Sequence, residues 1–175
     1  MMKMISGTLA PTKGRIFHSG TVSWPVGFAG SFHPELSGAQ NTRFIARVYG
    51  CDTEDLVDFV EEFAELGGHF YLPFRTYSSG MRSRLAFGVS MGVRFDTYLI
   101  DEVTSVGDAT FQARSRELLK ARTRQSGAIV VSHAMGMIRQ LCTSGAVLEN
   151  GALTYFDDIE DAITAHEANL GEIHA

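Results

Sequence analysis

Tyr77-Ser78-Ser79-Gly80-Met81, then Thr97-Tyr98-Leu99-Ile100-Asp101-Glu102, then Ser132-His133: these stretches follow one another in compact order, and their succession decides the fold. The first has the make-up of a helix start, hydroxyl residues and a glycine ahead of an apolar run. The second is a short apolar strand that ends on two carboxylates. The third follows another such run, Ala128 to Val131. A helix start offers backbone N–H groups and a favourable dipole to an anion. Carboxylates just past the carboxyl end of a strand lie where open α/β sheets bind their ligands. Each stretch alone has an ordinary alternative: a helix cap, a strand ending in solvated acids, a solvated histidine. In this order they point to nucleotide hydrolysis.

Upstream, Ile45, Val48, Leu56, Phe59, Val60, Phe63 and Leu66 recur at three- and four-residue spacing and predict two helices. Cys51-Asp52-Thr53 breaks them, Asp52 or Thr53 can cap the second, and Gly67-Gly68 ends it. A further helix is expected from about Ser79 to Gly92, with Leu85, Phe87, Met91 and Val93 as apolar positions. Before Ser37, Met1 to Ser6 reads as the tail of a helix. Arg15 to His18 and Thr21 to Trp24 read as a strand pair turning at Ser19-Gly20. Downstream, Tyr98 to Ile100 and Ala128 to Val131 read as parallel strands covered on both faces. Between them Ala109 to Thr123 is an amphipathic helix with Phe111, Leu118 and Leu119 inward. Ala146 to Phe156 forms a hairpin at Asn150-Gly151, and a helix over Ile159 to Ala168 follows.

The 175 residues suffice for one domain. A formal net charge of -5, without any run of lysines or arginines, argues against nucleic acid as a partner. Cys51 and Cys142 are isolated and imply neither a disulfide framework nor a metal site. No apolar run approaches the roughly 20 residues that span a bilayer, and the first residues lack a signal-peptide pattern, so a cytoplasmic chain is expected.

In a phosphate-handling site the carboxylates divide their work. Asp101 would hold Mg²⁺ through water, and Glu102 would orient and polarise the attacking water, a role worth about 10²–10⁴ in rate. Ser78 and the N–H groups near Gly80 would meet phosphate oxygens. His133, at the end of the second strand, would face the γ-phosphate. His18, His33, His69, His166 and His174 read as ordinary side chains.

The chain resembles the ATP-binding subunits of ABC transporters over nearly all its length. Tyr77 to Met81 is similar to the Leu-Ser-Gly-Gly-Gln signature, Ile100-Asp101-Glu102 to Walker B, Thr104-Ser105-Val106-Gly107-Asp108 to the D-loop, and Ser132-His133 to the H-switch. Gly7 to Ile16 resembles the Gly-x-x-x-Pro-x-x-Gly-x-Ile stretch that follows the phosphate-loop helix. Tyr77-Ser78-Ser79-Gly80-Met81-Arg82-x-Arg84-Leu85, Asp101-Glu102-Val103-Thr104-Ser105-Val106-Gly107-Asp108 and the earlier Phe32-His33-Pro34-Glu35-Leu36-Ser37-Gly38 are similar to exporters of capsular polysaccharide, O-antigen or teichoic acid. Trp24-Pro25-Val26-Gly27-Phe28 favours the capsule group.

The resemblance implies an α/β P-loop NTPase fold of the ABC ATPase type, with a largely parallel core sheet and a helical signature subdomain, incomplete at the N-terminus. As a single domain, residues 1–36 would form a remnant of the N-terminal core and β region, 37–92 the helical subdomain, and 93–175 the Walker B and H-switch core. It implies ATP and Mg²⁺ as cofactors and two ATPase subunits, a homodimer, closing on two nucleotides. Ser78 and Gly80 would grip the γ-phosphate held by the opposite subunit, Asp108 would cross the interface, and Glu102 and His133 would act on the subunit's own nucleotide. The second partner would be an integral membrane permease that contacts the polysaccharide, with this subunit peripheral on the cytoplasmic face of the inner membrane.

The pattern is departed from at two places. The Gly-x-x-x-x-Gly-Lys-Ser/Thr loop that cradles phosphates in this family does not occur; Thr12-Lys13-Gly14 puts the lysine before the glycine with no hydroxyl after it. The usual Q-loop glutamine should fall at Phe28 or Ala29, and Gln40 reads as a helix residue. The simplest expectation is a chain that begins within the family's sequence. The alternative is a non-catalytic subunit that lends its signature to a complete partner. ABC-type ATPases of chromosome maintenance and DNA repair carry long heptad segments, and none is present here.

Overall fold

The computed structural model describes residues 1–101 and 107–173, the last four as helical backbone. The chain divides into two compact units, Met1–Ile129 and Val130–Ala175.

The first unit is built on helices whose ends are written in the sequence. Helix α1 spans Met2–Ile5. Helix α2, Gly38–Tyr49, opens with a capping box: Ser37 Oγ accepts from Gln40 N at 3.1 Å while Gln40 Oε1 accepts from Ser37 N at 2.9 Å. This is what Gln40 does in the fold. The helix stops at Gly50, whose φ of 68° is the left-handed conformation glycine adopts most freely. Helix α3, Thr53–Ala64, is capped by Asp52, whose carboxylate accepts from Glu54 and Asp55 N–H. It ends earlier than Gly67-Gly68 predicts, at Glu65 with φ 51°, and Gly67 instead opens a 3₁₀ turn to Tyr71. A second 3₁₀ turn, Phe74–Thr76, leads into α4, Ser79–Gly92.

The core lies between α3, α4 and α5, which spans Ala109–Thr123. Phe63 stacks on Phe87 at 5.7 Å and meets the edge of Phe111 at 5.3 Å, pairs worth about 0.5–1.5 kcal/mol each beyond simple burial. Leu85 and Val60 are fully buried beside them. Helices α3 and α4 approach closely at Gly92, where a methyl group would meet the Leu56 side chain and lie 3.0 Å from the Phe59 ring. Val48, expected in this core, is 59% exposed, and Leu118 is half-buried.

Strand β1 is Val22–Pro25 and β2 is Thr97–Asp101. They are parallel, with Val22 opposite Thr97 and Pro25 opposite Leu99. The expected pairing of Arg15 to His18 with Thr21 to Trp24 does not form: Arg15 to His18 is no strand, and Thr21 turns instead to residues far along the chain. Asp96 Oδ2 accepts from Thr21 N at 2.7 Å and Thr21 Oγ1 at 2.8 Å, and starts the parallel register. The irregularity before Pro25 has a local cause. Leu99 N donates to Ser23 Oγ at 2.9 Å, a side-chain acceptor standing in for a backbone carbonyl of β1.

Strand β3, Gly127–Val131, follows β2 in the sheet order β1-β2-β3. Tyr98, Leu99 and Ile100 of β2 are buried as expected, but β3 is half-buried at its centre and Val131 is 41% exposed. Coverage on both faces therefore holds for β2 and not for β3, the last strand of this sheet among the described residues.

In the second unit, β4, Gly145–Glu149, and β5, Ala152–Phe156, form the predicted hairpin. Asn150 and Gly151 both take positive φ, 47° and 82°, as a two-residue hairpin turn requires. Helix α7, Ile159–Ile173, buries Ala162 and Ile163 and runs beyond the predicted Ala168. A short helix α6, Met135–Leu141, has no counterpart in the sequence reading; it has no side-chain cap and buries no residue, so neither end nor face marks it. Arg139 Nε donates to both Glu160 oxygens at 2.9 and 3.1 Å and ties α6 to α7. Among the described residues no helix is long and apolar enough to cross a membrane.

Candidate functional site

The stretch that opens α4 divides into an anchor and an exposed tip. Tyr77 is 4% exposed, packs on Phe74 at 5.4 Å, and its hydroxyl accepts from Gly38 N at 3.2 Å. Burial pushes the Tyr77 phenol up from its ordinary value. Ser78, Ser79 and Gly80, immediately after it, are exposed. Ser78 is the N-cap, its Oγ accepting from Met81 N at 3.2 Å. The first-turn N–H groups of a helix have no intrahelical acceptor and carry the positive end of its dipole. Nothing crowds them: the nearest atom to a Cβ placed on Gly80 is Ser78 Oγ, at 4.0 Å. An open cleft of about 380 Å³ adjoins this tip, lined by Glu65, His69, Ser78, Gly80, Arg84 and Gly107 among others.

Asp108 caps the next helix, its Oδ1 accepting from Phe111 N at 2.9 Å and its Oδ2 from Arg84 Nη2 at 2.6 Å. The Phe111 N–H foremost, with Arg84 adding its charge, holds the Asp108 carboxyl below the usual carboxylate range against an opposing desolvation. Gly107 takes φ 80°, and a Cβ there would lie 2.9 Å from the Phe111 ring, so the turn into α5 needs glycine twice over. Ser78, Gly80, Gly107 and Asp108 are thus brought to one side of the first unit.

Asp101 ends β2 as an exposed carboxylate directly after buried Ile100, the placement its sequence predicted. Glu102, and Thr104, Ser105 and Val106 of the D-loop stretch, lie outside the described residues. His133 belongs to the second unit, exposed in the loop between β3 and α6, where Ser132 Oγ accepts from Ala134 N at 3.0 Å. Among the described residues there is no cluster of three or more His, Cys, Asp or Glu side chains of the kind that builds an all-protein metal site. A single exposed carboxylate fits an ion that keeps most of its waters, as Mg²⁺ does.

Sequence reasoning placed Arg84 only within the motif from Tyr77 to Leu85, without a role of its own, and missed Asn41. Arg84 lies two residues after exposed Arg82 and directly before buried Leu85, at the point where α4 passes from its exposed first turns into the core. Asn41 carried no signal, since polar residues in helices are common.

Over 170 residues the chain is 42% identical to the polysialic acid transport ATP-binding protein KpsT of Escherichia coli, covering 95% of this chain and 76% of that one. It belongs to the ATP-binding proteins of capsule polysaccharide export. The family expected from the order of its motifs is therefore the one its relatives carry. The capsule polysaccharide export ATP-binding protein CtrD of Neisseria meningitidis is 42% identical over 162 residues, 93% of this chain and 75% of that protein. The ATP-binding protein BexA of Haemophilus influenzae is 41% identical over the same span. No family model matches the chain. The fold is that of ABC ATPases: a solved ATP-binding subunit of an ABC transporter superposes with a TM-score of 0.76 over 93% of this chain and 75% of its own, at 19% identity. The RNase-L inhibitor follows at 0.66 over 97% of this chain and 34% of its own, at 18% identity.

Proposed function

We propose that the chain is the energy-coupling subunit of a polysaccharide exporter, hydrolysing ATP on the cytoplasmic face of the inner membrane to drive a permease that itself contacts the sugar. Its relationship to the capsule-export ATP-binding proteins over 95% of its length carries this reading, and the exposed tip of α4 agrees with it. Two copies would close on ATP. Ser78 and Gly80 would present a hydroxyl and helix-start N–H groups to the γ-phosphate held by the second copy. Asp108, at the same side, would reach across the interface. Asp101 would hold Mg²⁺ through water, Glu102 would take the proton of the attacking water, and His133 would hydrogen-bond the γ-phosphate. Bound Mg·ATP supplies the phosphoryl group and the charge that draws the subunits together. Residues 37–92 would form the helical arm that docks on the permease, with residues 1–36 and 93–175 contributing to the nucleotide-holding core.

Gly80→Asp and Glu102→Gln in the native gene product, reconstituted with its permease, test this together. An acid at Gly80 would face the γ-phosphate at short range, where two unit charges about 4 Å apart repel by roughly 4 kcal/mol at surface-like dielectric. ATP turnover should fall by at least about a hundredfold, and the dimer peak on size-exclusion chromatography should vanish. Glu102→Gln should keep the ATP-bound dimer and lose turnover, because an amide cannot take the proton. Normal turnover in either variant removes that residue from its role.

A further inference from the structure

Arg84 stands where three groups meet. Its Nη2 lies 2.6 Å from Asp108 Oδ2, its Nη1 3.9 Å from Glu65 Oε2, and its guanidinium covers the Phe111 ring at 4.7 Å. Its side chain is 19% exposed, against 63% for Asp108 and 57% for Glu65. A guanidinium held by a carboxylate on one side and by an aromatic ring against it has little freedom left. Asp108 is equally committed, with one oxygen capping α5 through Phe111 N and the other on Arg84. We infer that Arg84 is a positioning residue that fixes Asp108, and the turn ahead of α5, to the helix that carries Ser78 and Gly80. The functional part of this inference rests on the proposed role of Asp108 in a closed dimer.

A second arginine in the same network serves as a natural control. Arg114 Nη1 bonds Glu65 Oε1 at 2.5 Å and its guanidinium covers the Phe63 ring at 5.0 Å, so Glu65 at the end of α3 is bracketed by two cations. Both arginines cover core phenylalanines and both reach Glu65. Arg84 also reaches Asp108. A role that is merely structural should therefore be shared by the pair, whereas positioning of Asp108 belongs to Arg84. Arg84 and Glu65, two of the residues that line the cleft beside Ser78, are part of this network, which places the cap of α5 and the tip of α4 under one constraint.

The test compares Arg84→Ala, Arg84→Lys and Arg114→Ala. In the purified 175-residue chain, amide exchange at Phe111, whose N–H reports the Asp108 cap, should rise about tenfold in Arg84→Ala, less in Arg84→Lys, and stay at the wild-type value in Arg114→Ala. In the native gene product with its permease, Arg84→Ala should lower kcat with KM for ATP unchanged, and Arg84→Lys should restore part of the loss. Unchanged exchange at Phe111 in Arg84→Ala, or an equal rise in Arg114→Ala, overturns the positioning. Faster exchange with unchanged kcat overturns its link to turnover. A wild-type protein without ATP turnover counts against the proposed function, and the exchange comparison then still decides the positioning.

Discussion

Replacing Asn41 by alanine should destabilise the first unit by about 3 kcal/mol, a figure assembled from net hydrogen-bond and orphan-donor costs. Asn41 is 1% exposed at the start of α2, where its Oδ1 accepts from His33 N at 2.8 Å. Its Nδ2 donates to the carbonyls of His33, Leu36 and Ser37 at 3.1, 3.2 and 3.0 Å. The carbonyls keep other donors when the amide goes: His33 O retains Leu36 N, Leu36 O retains Phe74 N, and Ser37 O retains Asn41 N. His33 N–H loses the acceptor recorded for it. An orphaned donor costs about 1–3 kcal/mol, and the two amide protons forfeit roughly 0.5–1.5 kcal/mol each. For a chain of this size that is a fall of roughly 6–12 °C in melting temperature. Asn41→Asp should melt lower still at neutral pH, because an acceptor-only carboxylate would face three carbonyl oxygens. Differential scanning calorimetry reads both. An alanine variant melting within about 2 °C of wild type, or an aspartate variant melting above it, would refute the accounting and release the Phe32 to Ser37 loop from this anchor.

Two further outcomes test the packing and the sheet. Gly92→Ala puts a methyl group against the Leu56 and Phe59 side chains, and overpacking of that kind costs about 1–3 kcal/mol; a lowered calorimetric melting temperature is expected, with Leu56→Ala in the same chain recovering part of the loss. Asp96 is held below the usual carboxylate range, first by the Thr21 N–H and then by the Thr21 hydroxyl. A depressed carboxyl stabilises the fold above its unfolded value of about 3.9 and loses that contribution as pH falls through the folded value. The melting-temperature gap between wild type and Asp96→Asn should stay constant above about pH 5 and close below it; a gap that widens on acidification would reverse the sign of this contact.

The elements that were legible in the sequence are those whose ends carry their own chemistry. Asp52 caps α3 and Ser78 caps α4 at helix starts read from the sequence, and Asn150-Gly151 turns the hairpin. Misreadings arose where the deciding partner lies far along the chain. Thr21 to Trp24 alternates like any strand, and nothing local says that it pairs with residues near Thr97 and not with Arg15 to His18. Val48 fits a helical period yet points outward, because an apolar spacing of three and four selects a face only when its partner is known. In the candidate site the motif residues were legible and their supports were not. Ser78, Gly80, Asp101 and Asp108 stand in recognisable order, whereas the grip of Arg84 on Asp108 joins positions on separate helices.

Ser90 ties the last turns of α4 to the chain that leaves β1. Its hydroxyl accepts from Trp24 Nε1 at 3.0 Å and from Gly27 N at 3.2 Å, and donates to Ala86 O at 2.8 Å. A hydroxyl has one proton and two lone pairs, so all of its bonding capacity is used. The end of α4 cannot slide along β1 without breaking both of the bonds that cross between them, in a buried site where water does not replace them cheaply. From Trp24 to Gly27 the chain is therefore riveted to α4. The next anchor is His33, clamped to Asn41. Between the rivet and the clamp run Phe28 to Phe32, where Phe28 N donates to Pro25 O at 3.0 Å and Phe32 N to Ala29 O at 3.2 Å, so the stretch from β1 to α2 is pinned to α4 at one end and to α2 at the other.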